Sequence, residues 1–86
     1  MPEISRFFGI VIYMHFNEHN PPHFHAKYAK HEALICINDF KILNGSLPPK
    51  ALSLVIEWAG AHKKELLENW NELRQRHYPK KIKPLE

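Results

Sequence analysis

Phe8, Ile10, Ile12, Met14 and Phe16 alternate with Gly9, Val11, Tyr13, His15 and Asn17. A two-residue period with β-branched content predicts a strand over about Phe8 to Phe16, with one fully apolar face. The following Asn17-Glu18-His19-Asn20-Pro21-Pro22 cannot extend it, because two consecutive prolines remove two backbone donors. It reads as a stiff hairpin loop. Alternation resumes at His23, with Phe24, Ala26 and Tyr28 on one face and His23, His25 and Lys27 on the other. A polar turn near Lys30 to Glu32 leads into a third strand, Ala33 to Ile37, and Asn38-Asp39 suits a tight turn. Phe40 to Leu43 then forms a short fourth strand that ends at Asn44-Gly45.

The pattern changes period after Ser46. Leu52, Val55, Ile56, Ala59, Leu66, Trp70 and Leu73 recur at spacings of three and four, and Pro48-Pro49 fits a first helical turn after a cap near Ser46 or Leu47. The spacing predicts one long helix, with Gly60 the place for any kink. Such a helix needs an apolar surface to cover, and the Phe8/Ile10/Ile12/Met14 face supplies it. The expected class is α+β: an antiparallel four-stranded β-meander with one long C-terminal α-helix on one face. Residues 1–77 make a single domain and 78–86 a basic, proline-containing tail. The face bearing His15, His23, His25 and Lys27 is left toward solvent or a ligand.

Composition adds limits. With 86 residues, 44% of them hydrophobic, the chain can bury one modest core but not two. Cys36 is the only cysteine, which excludes an internal disulfide and a multi-cysteine zinc cluster, and it sits in an apolar run where a small buried thiol fits. No run approaches a membrane span, and the opening MPEISRFFGI, acidic at Glu3, does not read as a signal peptide. A cytoplasmic setting without membrane contact is the expectation. The formal charge of +3 is uneven, since Arg74, Arg76, Lys80, Lys81 and Lys83 crowd the end of the chain. That end would attract a polyanion or an acidic protein, less so at high salt.

Five of the seven histidines lie between His15 and His31. Imidazole transfers protons near neutrality, ligates transition metals and donates to phosphate, so this segment holds the candidate chemistry. On one strand face His23 and His25 would project about 7 Å apart, with Lys27 at the same interval. Two imidazoles flanking a phosphate beside an amine suit metal-independent cleavage of RNA: a base for the 2′-hydroxyl, an acid for the leaving oxygen and a cation for the developing charge. Tyr13, His15 and His19 would add donors, Arg6 a phosphate contact, and Lys80 and Lys81 a hold on the backbone. No cofactor is needed for that chemistry. A second reading is a divalent transition metal on His19, His23 and His25, completed by Glu18 or Glu32. A third has the histidines bonding loop carbonyls to make a rigid edge for a protein partner. For His31, His62 and His77 this structural role is the expectation, as core packing is for Trp58 and Trp70.

The stretch MPEISRFFGIVIYMHFNEHNPPHFHAKY, then ALICIN and ALSLVIEWAGAHKKELLENW, resembles a bacterial family, domain of unknown function 4160, over about Met1 to Trp70. The resemblance carries no catalytic residue. It implies a small bacterial protein encoded beside a second small one, as in toxin–antitoxin pairs. The combined expectation is a toxin-like component acting on RNA through the histidine-rich face, neutralised by a small cognate protein. The alternative is a non-enzymatic metal-binding or regulatory module, including the antitoxin side of such a pair; the sequence leaves the oligomeric state open.

Overall fold

In the computed structural model, which describes residues 2–86, the first apolar run is not one strand. Phe8 and Gly9 take φ of 49° and 79° and close a tight turn between β1 (Glu3–Phe7) and β2 (Ile10–Tyr13). Two left-handed residues in succession give the two-residue loop whose twist matches that of the strands it joins. Gly9 adopts this freely, whereas Phe8 does so at a cost of roughly 1 kcal/mol. Alternation sees only which side a residue faces, so it continued through the turn.

β3 (His23–Tyr28), β4 (His31–Cys36) and β5 (Ile42–Gly45) follow, and every neighbouring pair in the order β1-β2-β3-β4-β5 is antiparallel. The expected meander is present with five strands rather than four, because Glu3–Phe7 pairs with β2 and buries Ile4 and Phe7. The last strand starts later than expected. Phe40 has φ 60° and stays in the turn, its N–H donating to the Cys36 carbonyl at 2.8 Å. Gly45 sits so close to β4 that a Cβ there would lie 2.0 Å from the Glu32 carbonyl oxygen.

Ile10, Ile12, Met14, Phe24, Ala26, Ala33, Ile35 and Ile37 form the apolar layer of the sheet, against Val55, Trp58 and Ala59 of α1 (Pro49–Ala61). The Trp58 ring lies 5.4 Å from Phe7 and 6.0 Å from Phe24. The single long helix is instead two, and the break falls at His62 rather than Gly60. His62 leaves helical geometry at φ −124°, ψ 24°, donates its N–H to the Trp58 and Ala59 carbonyls, and sets its ring 2.6 Å from Glu65 in the first turn of α2 (Lys63–Arg74). A straight rod would hold Trp58 and Trp70 about 120° apart around its axis. With the break, Leu66, Trp70 and Leu73 join the same core as Trp58.

Residues 78–86, read from sequence as a tail, dock on the domain. The Asn69 amide holds Lys80 by two backbone bonds of 2.9 Å, Ile82 is buried and donates to the Ile4 carbonyl at 2.8 Å, and the Trp58 indole N–H donates to Lys83. Among the described residues no helix is long and apolar enough to cross a membrane.

Candidate functional site

His23, His25 and Lys27 follow one another at two-residue intervals on β3, opposite the core-facing Phe24 and Ala26. Their face is not left to solvent at the His23 end. The segment between β2 and β3 folds over it, fixed by Met14 N–H to the Pro2 carbonyl at 3.1 Å and by Ile37 N–H to the Pro22 carbonyl at 2.9 Å. Proline donates no bond of its own, so Pro21 and Pro22 offer only carbonyls, and both are used.

Glu18 is the centre of what results. One carboxylate oxygen lies 2.7 Å from His25 Nε2 and the other 3.0 Å from His23 Nε2. His23 Nδ1 lies 2.8 Å from the Pro21 carbonyl oxygen, so both ring nitrogens face oxygen atoms. The ring rests against Trp70 of α2 at 5.1 Å, which closes this end. His25 stacks on Tyr13 at 4.9 Å with planes 10° apart, and His15 meets it edge-on at 4.5 Å. Beyond His25 lies Glu32, its carboxylate bonded to the Tyr13 hydroxyl and 3.5 Å from His25 Nδ1. That nitrogen is buried and, among the described residues, has no hydrogen-bond partner.

Electrostatics follow from this packing. Burial pushes the Glu18 carboxyl up, but the hydrogen bonds and charges of His23 and His25 outweigh it, leaving Glu18 below the ordinary carboxylate range. Burial, reinforced by the like charge of His25, holds His15 below the usual imidazole value, with Glu18 opposing. Tyr13 is pushed well above the usual phenol range by burial, then by its bond to Glu32 and that carboxylate's charge.

The arrangement corrects the expected access. His23 and His25 do share a side, with ring centres 5.6 Å apart, but they are 5% and 8% exposed and committed to Glu18. Lys27 and His19 are exposed, and among the described residues no hydrogen bond or ion pair links either to the cluster. Arg6 is spent on Glu3, at 2.8 and 3.2 Å. Lys80 and Lys81 border a pocket with Glu65, Glu68 and Glu72, so acidic side chains already stand beside them. The triad able to hold a metal is also a different one. One donor atom each from His15, Glu18 and His25 lie within 4.8 Å of one another, whereas His19 is outside. Glu18 was visible in the sequence only as an optional carboxylate, since its distance from His25 along the chain says nothing until the loop folds back.

A second feature lies at the hairpin-tip end of the domain. Phe8, Ile10, Tyr28, Pro48, Ala51 and Leu54 line a groove of about 440 Å³, with Lys50 the one charged group in its walls among the described residues. Phe8 is 61% exposed at its strained turn.

A family model described as Domain of unknown function (DUF4160) matches residues 9–71, which take in the whole histidine cluster. No curated protein and no solved structure matches the chain.

Proposed function

We propose that this chain, which belongs to the DUF4160 family, is the protein-binding member of a bacterial two-gene pair, docking a small cognate protein in the apolar groove beside Phe8. The observation that carries the reading is Phe8 itself. A large aromatic ring held outward on a backbone that disfavours it is costly twice, once in strain and once in exposed apolar area. Polar residues, with asparagine foremost, would turn that hairpin at lower cost. A partner that covers the ring offsets both terms, and buried aromatic anchors of this kind dominate protein interfaces.

The RNA-cleaving reading has less support. It requires two imidazoles facing a phosphate beside Lys27, and those rings are enclosed and bonded to a carboxylate, which repels phosphate. A regulatory partner-binding role makes no such demand on them.

Co-expression with the protein encoded alongside, followed by purification and calorimetry, tests the reading. A stoichiometric complex is expected, weakened about 30-fold by Phe8→Asp, the loss of one aromatic anchor. Unchanged affinity in that variant would remove the groove from the proposal. Growth with each gene induced alone, then together, assigns the harmful and protective roles.

A further inference from the structure

We propose that His15, Glu18 and His25 form a site for one zinc-like divalent ion, with Glu32 positioning His25 and His23 positioning Glu18. The case starts from the buried His25 Nδ1, which has no hydrogen-bond partner among the described residues. A satisfied structural histidine would not leave that atom bare. Glu32 Oε2 is 3.5 Å away, too far for a hydrogen bond.

Moving one proton within the ring resolves the anomaly. Without metal, Nε2–H donates to Glu18 Oε1 at 2.7 Å and Nδ1 is bare. If an ion takes Nε2, the proton resides on Nδ1 and is donated to Glu32, whose carboxylate is itself held by the Tyr13 hydroxyl. Glu18 Oε1, released from the hydrogen bond, becomes the second ligand, while Oε2 keeps its 3.0 Å bond from His23. The neutral ring neither gains nor loses a proton in this exchange, and the imidazolium releases one to solvent as the ion binds. A carboxylate behind each metal-bound histidine is the usual way proteins fix imidazole orientation.

His15 supplies the third ligand. Among the described residues its ring has no hydrogen-bond partner, and it already touches His25 edge-on at 4.5 Å. The three donor atoms fall within 4.8 Å of one another, against about 3.4 Å between ligands around a tetrahedral zinc. Two of the three residues, His15 and Glu18, belong to the segment between strands, so closing by an ångström does not require the sheet to move. Two nitrogens and one oxygen select a borderline transition ion over calcium or magnesium, and three protein ligands leave one position for water or a ligand.

Zinc chloride titrated calorimetrically into chelator-treated protein should show one ion per chain. His15→Ala should weaken binding at least 100-fold; it removes a ring that packs on His25 and Tyr13 but makes no hydrogen bond among the described residues, so the metal-free protein should still fold cooperatively while the zinc-induced rise in melting temperature is lost. Glu18→Gln and His25→Ala should lose binding too, but only His15→Ala separates the ligand role from the latch that Glu18 provides. Glu32→Gln should weaken zinc ten- to hundredfold. His19→Ala and Lys27→Ala should bind as the parent does. Parent-like affinity in His15→Ala, or loss in His19→Ala, His62→Ala or His77→Ala instead, overturns the site; parent-like affinity in Glu32→Gln overturns the role of Glu32.

Discussion

The histidine cluster and the Phe8 groove invert the ordinary relation between polarity and burial. His23 and His25 are nearly enclosed, whereas Phe8, from the most apolar run of the chain, is 61% exposed. Each inversion is maintained by backbone that overrides side-chain preference: a loop folded over the imidazoles in one region, a left-handed turn holding the aromatic out in the other. The closed region must satisfy its polar atoms internally, and the open one must find its apolar contact elsewhere. Mutations should therefore move stability at the first and binding at the second.

The largest effect is expected at Glu18. Glu18→Gln keeps the shape but cannot accept from two imidazoles at once, and should lower unfolding stability by about 2 kcal/mol in urea denaturation at pH 7. The pH dependence has a definite sign. The folded-state pKa of Glu18 is below its ordinary value, so its contribution is present above the unfolded carboxylate pKa and lost as pH falls through the folded one. The gap between parent and Glu18→Gln should close on acidification through and below the carboxylate range. A gap constant with pH would mean that the cluster is held by packing rather than by charge.

Asn69 tests whether the closed region depends on the rest of the frame. Its amide clamps Lys80, and the segment it anchors lies against Ile4 and Trp58, so that α2, which sets Trp70 on His23, is tied to β1. Asn69→Ala removes two part-buried hydrogen bonds and should cost about 1.5 kcal/mol, with faster proteolysis of residues 78–86 as the direct readout. Equal cleavage rates in parent and variant would make that segment independent of the domain.

Much of the architecture could be read from residue order. Period-two alternation located β3, an apolar run located β4, and of the seven positions in the helical stripe Val55, Ala59, Leu66, Trp70 and Leu73 enter the core while Leu52 and Ile56 are partly buried against it. What could not be read was turn chemistry and long-range closure. Nothing in Phe8-Gly9 announces a turn unless phenylalanine is allowed a positive φ, and the apolar stripe keeps its phase through His62, so the helix break is silent. The candidate site was legible as residue types and not as the set of contacts the folded chain makes. His23 and His25 were placed on the right face, but Glu18, Glu32 and Trp70 reach them only through tertiary folding, and Lys27 and His19 stay out.

Phe8 gives the smallest effect and the sharpest contrast, because its sign is opposite to that of an ordinary aromatic truncation. Phe8→Asn turns the loop into Asn-Gly, the pair best suited to two successive left-handed residues, and removes an exposed ring that packs little. Thermal and urea unfolding should show a gain of about 0.5–1 kcal/mol. The same variant should bind the proposed cognate protein more weakly, because the proposal makes Phe8 its anchor. Gain of fold and loss of binding together are what a site held at the expense of stability must show. A loss of stability in Phe8→Asn would place the ring among the core residues, and the two regions would no longer stand as opposites.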